Sequence, residues 1–334
     1  MATLLTEATE VGTALGMCGH GSVREALAAM PASFDSIHPD RWRIWLQSYE
    51  DSPMWTDWDE AWRNGRAFLD ADDGLRGRPP RHIDWRGGSR PSPDAVIPAD
   101  LRVDHVYLVS CKYLSKVLFN GAPAGVFDGA MGLLPTARSA DWFSEIAPLE
   151  HQALYGHVRH DLTVPTPPSV ASLNATDRKR VRDSLRAGWP SDDAAAAYRD
   201  LVGAVAARSA ARWRDAIGSV GRPERVLWRL LRMYDAPYFV LGSARAVVLR
   251  LRVATPWDWS YRYRLEQFDV EAKPAGQPTV SWSAAIRDRD VGRFVEVRGH
   301  VEIRWSHGRF GGAPEAKVYL DTPPTEVPGY YPLV

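Results

Sequence analysis

The sequence predicts an α/β chain of the α+β kind: a mixed sheet flanked by helices, followed by a helical plus antiparallel β region. Three observations carry this. Val106-Tyr-Leu-Val-Ser-Cys-Lys112-Tyr113 is an almost unbroken apolar run, as suits a central strand buried on both faces. Ahead of it, Trp42, Trp45, Leu46 and Tyr49, then Trp58, Trp62 and Leu69, recur at helical spacing. The last third alternates polar and apolar residues between Gly/Pro turns, the pattern of an antiparallel sheet.

Residues 20–75 read mainly as helices. Pro39 and Asp40 open one of them, and Asp57 is placed to cap the next, which runs to about Leu69. A Gly/Arg/Pro-rich loop over 72–93 holds a short strand at 82–85. Strands at 94–97 and 105–113 follow, joined by a turn-like Pro98-Ala-Asp-Leu-Arg102. Helix returns over 139–158. Val164-Pro-Thr-Pro-Pro-Ser169 cannot continue it and marks a domain boundary, with domains over 1–163 and 170–334. Beyond it come helices near 176–187, 191–217 and 222–234, then strands at 245–255, 259–273, 279–286, 293–304 and 316–320.

The 334 residues allow one large domain or two ordinary ones. With 45% hydrophobic and 25% charged residues the composition is that of a soluble globular protein, and no apolar run approaches a membrane span. The start, Met-Ala-Thr-Leu-Leu-Thr-Glu, lacks the basic-then-apolar order of a signal peptide. Two cysteines, Cys18 and Cys111, make no disulfide framework, so a reduced, cytoplasmic protein is expected. A net charge of zero announces no polyanionic partner. Only five of the 41 cationic residues are lysines, and two of these, Lys112 and Lys116, fall at the apolar strand.

In that strand Leu108, Ser110 and Lys112 share one face by alternation. A lysine there is costly unless a carboxylate or polar cleft receives it. Pro93-Asp94 stands ahead of it, followed by fifteen residues and then Ser110-Cys111-Lys112. This order of helix, loop, strand with Asp, and strand with acid-x-Lys resembles the PD-(D/E)xK nuclease superfamily, which includes many restriction endonucleases. The resemblance implies a restriction-endonuclease-like sheet and Mg²⁺ (or Mn²⁺) held by Asp94, with Lys112 positioning and activating the attacking water. A divalent cation needs hard oxygen ligands, which the aspartate supplies. Ser110 stands where the family usually carries an acid, so a second carboxylate must come from elsewhere; Asp104 is one candidate and a glutamate of the preceding helices another. Of two better-spelled copies, Glu271-Ala-Lys273 leads into a hairpin, and Glu315-Ala-Lys317 begins its strand with no metal-binding aspartate in a neighbouring strand before it.

Lys116 and Asn120 follow the motif in helix-compatible sequence and are candidates for phosphate contacts. In the C-terminal ribbon, Arg298, Arg304 and His307 are candidates for groove contacts, since arginine pairs bidentately with guanine. The function expected is an Mg²⁺-dependent restriction or phage-defence endonuclease acting on double-stranded DNA as a homodimer. The rivals are a non-catalytic DNA-binding protein of the same fold and an RNA-directed nuclease. His157 and His160 have metal-compatible spacing but read as a helix surface.

Overall fold

The computed structural model describes residues 4–34, 37–51, 53–87, 99–113, 117–136, 141–162, 165–244 and 247–334. In chain order the elements are α1 (Leu4–Met17), α2 (Val23–Ala29), α3 (Pro39–Glu50), α4 (Trp55–Asp70), β1 (Ile83–Trp85), β2 (Leu101–Val103), β3 (Tyr107–Tyr113) and β4 (Val117–Gly121). Then come α5 (Pro123–Phe127), α6 (Trp142–Ile146), α7 (Pro148–Asp161), α8 (Ala175–Ser184), α9 (Asp192–Val220) and α10 (Pro223–Leu230). The chain closes with β5 (Tyr238–Ala244), β6 (Val247–Val253), α11 (Pro256–Arg262), β7 (Tyr263–Ala272), β8 (Thr279–Asp288), β9 (Phe294–Arg304), β10 (Glu315–Leu320) and β11 (Tyr330–Pro332). The architecture is α+β, and no described helix is long and apolar enough to cross a membrane.

Two compact units divide these elements. The first comprises Met1–Ser115, Arg232–Arg262 and Pro324–Val334; the second comprises Lys116–Leu231 and Tyr263–Pro323. The division does not fall at the proline-rich segment. Its carbonyls are held along α7 instead: Tyr155 Oη donates to Pro167 O and Gln152 Nε2 to Pro168 O. A segment tied down by side-chain donors is packed structure within the second unit.

In the first unit a six-stranded sheet runs β1-β2-β3-β5-β6-β11. Every neighbouring pair is antiparallel except β3 and β5, which makes the sheet mixed. Parallel neighbours need a crossover, and here residues 114–237 supply it. Val109, Leu101, Val103, Ile83, Phe239 and Leu241 share a core with α1–α4. Trp45, Trp58 and Phe68 are fully buried there. Tryptophan indoles also anchor polar groups: Trp45 Nε1 donates to Glu7, Trp85 Nε1 to Glu10 and Trp58 Nε1 to Ser48. Buried acids on α1 are thereby satisfied, with Arg41 completing the Glu7 pair.

Helices α1 and α4 meet backbone to backbone. A Cβ added at Gly65 would lie 1.8 Å from Thr13 O, and one at Gly16 would lie 2.0 Å from Trp62 O. Only glycine permits this approach. Gly65→Ala should therefore destabilise by about 2 kcal/mol, the overpacking cost exceeding the helix-propensity gain. Gly203→Ala in α9 is the control, since its added Cβ meets nothing within 4 Å and should stabilise by about 1 kcal/mol. Chemical denaturation of both variants checks the pair; equal effects would discard the close-contact argument.

Several elements differ from expectation. Leu101–Val103, inside a stretch read as a turn, pairs with both β1 and β3. The strand expected at 245–255 in the C-terminal sheet is β6, which joins the first sheet beside β5, where no strand was expected. Trp259, read as strand, lies with Trp257 in α11, which Pro256 opens at a position that needs no N–H. Val117–Gly121 is a strand, not a helix start, because Val117-Leu-Phe119 pairs with β10. The expected strand at 94–97 lies outside the described residues. Asp57 sits inside the first turn of α4, beyond the N-cap Met54, where its charge still favours the helix dipole.

The second unit packs α9, 29 residues long, against α7 and an antiparallel sheet β4-β10-β9-β8-β7. Small residues on its buried face (Ala194, Ala197, Ala206, Ala210) allow close packing, and Trp213 is fully buried among them. β8 and β9 alternate buried and partly exposed positions as their sequence predicts.

Candidate functional site

The β2–β3 hairpin closes over Asp104–Val106, with Val103 opposite Tyr107 and Leu101 opposite Val109. One step further along this register brings Asp100 opposite Ser110. The backbone N–H of Asp100 donates to Val109 O (2.9 Å), which fixes that position. Its carboxylate oxygen Oδ2 then accepts from Cys111 N (2.7 Å) and from Ser110 Oγ (3.2 Å). Asp100 is 8% exposed and Ser110 is fully buried. A buried carboxylate survives only with such donors, and hydrogen bonds to an ionised acceptor are the strong ones. Lys112 is two residues on in β3, in register with Gly242 of the parallel strand β5.

Asp100, not Asp104, is thus the carboxylate beside Ser110. Asp104 occupies the hairpin turn with φ 49°, and His105 follows at 58°. Its Oδ1 accepts the N–H groups of Arg81 (2.8 Å) and His82 (3.0 Å), so it pins the preceding loop to the turn, at the opposite end of β3 from Lys112. An aspartate tolerates the left-handed conformation and supplies that acceptor, which accounts for its presence there. Asp94 and Lys116 lie outside the described residues. Among the described residues no group of three or more His, Cys, Asp or Glu is placed to hold a metal ion. His157 and His160 are exposed on α7, as a helix surface.

The C-terminal ribbon separates its candidates. Arg304 and His307 line a groove of about 690 Å³ in the second unit, together with Arg182, Arg186, Arg309 and Lys317. Arg298 is not among the lining residues; it is exposed and paired with Glu296 (2.6 Å). Asn120 is on β4, in register with Lys317 of β10. The turn between β9 and β10 is held to the α8 region by Arg309 Nη1 donating to Leu185 O (2.9 Å). Gly308, at φ 89°, lets it approach, since a Cβ there would lie 2.8 Å from Arg182 Cγ.

Beneath this turn lies an aromatic cluster. Phe310 stacks on His151 at 5.5 Å, and Trp305 lies 4.8 Å from both Phe143 and Phe310. Burial pushes the His151 imidazole down to about 4; Asp141 works against that shift and Arg178 with it. Its Nδ1 is 3.0 Å from Ser144 Oγ. Burial likewise raises the Tyr198 hydroxyl, against the opposing charge of Arg309.

Sequence reasoning missed Asp100 and most of the groove. Asp100 had a usable signal: it precedes Ser110 by the length of a hairpin whose turn is at 104–106. Lys317, in a Glu-x-Lys with no aspartate expected in a neighbouring strand before it, is brought to the groove by the β9–β10 hairpin. No protein-family model, no curated protein and no solved structure matches this chain.

Proposed function

We propose that this chain is a metal-dependent nuclease with a restriction-endonuclease-like first unit, acting on DNA. The observation that carries the reading is the Asp100–Ser110 pair two residues from Lys112. It supplies, beside the motif strand of a mixed sheet, the carboxylate that Ser110 cannot provide itself. The donor chemistry fits Mg²⁺: a carboxylate just ahead of β2 and a hydroxyl on β3 are hard oxygens held side by side. Asp100 and Ser110 would hold the ion, and the resemblance adds Asp94 as a further ligand. When bound, the cation supplies water activation and screens phosphate charge. Lys112 would orient the attacking water and offset charge on the scissile phosphate, and the hydrogen bonds from Ser110 and Cys111 hold the Asp100 carboxylate in one direction. Two-fold symmetry of a DNA site makes a homodimer the expected working form.

One observation favours the second reading, DNA binding without cleavage: Asp100 Oδ2 already serves Ser110 and the Cys111 N–H. Incubation of plasmid DNA and of RNA with Mg²⁺ or Mn²⁺ separates the readings. Wild type should cut DNA, and Lys112→Ala should cut it at least about 100-fold more slowly, the loss expected for a group acting on the attacking water. RNA cleavage alone selects the RNA-directed alternative. Identical behaviour of wild type and Lys112→Ala on every substrate rejects nuclease activity at this site.

A further inference from the structure

We propose that the groove in the second unit holds one nucleotide unit, a base together with its phosphate, and so discriminates nucleotides from bare phosphate. The inference rests on the reading of the substrate as nucleic acid and locates a second contact point for it, on residues that take no part in the chemistry.

Charge comes first. Arg182, Arg186, Arg304, Arg309 and Lys317 line the groove, and among the described residues no carboxylate lines it. In a chain whose net charge is zero this is a local concentration. Arg182 and Arg186 share one acid, Asp183. Arg309 and Lys317 form no ion pair with any described residue. Such a cluster suits a phosphate.

Phosphate alone leaves the groove unsatisfied. Gln277 and Trp305 also line it, and each has a buried polar atom without a hydrogen-bond partner: Gln277 Oε1, an acceptor, and Trp305 Nε1, a donor. A buried orphan is costly, so an arrangement with two of them asks for a ligand. A phosphate dianion accepts but has no proton to give Gln277. A nucleobase edge carries donors and acceptors side by side and can meet both.

Shape agrees. Tyr198 and Trp305 are the aromatic residues of the lining, with rings 6.5 Å apart and within 23° of parallel, and a base stacks on such faces whatever its identity. A volume of about 690 Å³ is far more than one phosphate fills and falls in the range of small-molecule pockets. The turn that shapes the groove is already fixed by Arg309 and by Arg178, which donates to Phe310 O (3.5 Å), so little ordering remains to be done on binding.

The test is equilibrium binding of the full chain in EDTA, read by anisotropy of a labelled short single-stranded DNA and of the same strand carrying abasic sites. The base-bearing strand should bind about tenfold more tightly, within the range of stacking on aromatic side chains. Lys317→Ala should weaken both strands and reduce the slope of log affinity against log salt by about 0.7. Gln277→Leu should narrow the base-to-abasic ratio and leave that slope unchanged. Competition names the source: displacement by a nucleoside 5′-monophosphate assigns the groove to free nucleotides as well, and displacement by the strand alone assigns it to nucleic acid. Equal affinity for the two strands, an unchanged slope in Lys317→Ala, or inorganic phosphate competing as well as the monophosphate overturns the proposal. EDTA keeps this separate from cleavage: binding as described, with no cutting in the Mg²⁺ or Mn²⁺ assay, removes the nuclease and leaves the groove, and cutting there with no Lys317 effect on binding does the reverse.

Discussion

Asp100→Asn should slow DNA cleavage on the order of 10³-fold, equivalent to about 4 kcal/mol of barrier, while lowering Tm by no more than a few degrees. The substitution keeps size and shape. Its amide oxygen can still accept from Cys111 N–H, and the Ser110 hydroxyl can rotate to suit the new partner. What disappears is negative charge, and with it the capacity to hold a divalent cation. The structural cost is the charge-assisted part of two hydrogen bonds, about 1 kcal/mol. Activity and stability therefore part company. Asp104→Asn supplies the contrast, because Asp104 pins Arg81 and His82 and takes no part at Ser110. It should leave cleavage within about twofold and act on Tm instead. Rates at matched Mg²⁺ with thermal melts decide the matter. An active Asp100→Asn beside an inactive Asp104→Asn would return the metal to the residue that spacing alone suggested.

That contrast shows where local sequence stops informing. Long elements with a strong period were legible: α3 from Pro39, α8 to α10, and β7 to β10 apart from the α11 turn at Trp257. β2 was not, since Leu-Arg-Val is too short to show a period and follows turn-forming residues. β5 escaped for another reason. Tyr238-Phe-Val-Leu is an apolar run next to helical sequence, and its parallel partner β3 lies more than a hundred residues earlier, so nothing nearby announces the pairing. Asp100 could be found only after the β2–β3 turn was fixed at Asp104 and His105, two residues whose left-handed backbone leaves no periodic trace. The groove is assembled from α8, α9, the β7–β8 turn and the β9–β10 hairpin, so its charge is visible only after folding. Arg304 and His307 were recognisable as a ribbon, but Arg182 and Gln277 had no reason to be grouped with them.

His151 should make stability fall with acidity by about 2 kcal/mol between pH 7 and pH 5, and by about 3 kcal/mol by pH 4. Burial holds its native imidazole at about 4, while an unfolded histidine titrates near 6.5. Between those values the unfolded chain binds the extra proton, so stability rises with pH across the window and the contribution is complete above it. The groups facing the ring leave no easy way to stabilise the charged form. Phe143, Trp305 and Phe310 surround it, Ser144 lies on Nδ1, and the nearby Asp141 is offset by Arg178. Its Nε2 is buried without a partner, so a proton placed there would have no acceptor. Urea denaturation at pH 7, 6 and 5, for wild type and His151→Phe, isolates the effect. The variant should lose the Ser144 bond at every pH and show a flatter profile, because phenylalanine keeps the stack on Phe310 without a titrating group. Parallel profiles for the two proteins would mean that another group carries the acid sensitivity and that His151 takes up its proton in the folded state as readily as in the unfolded one.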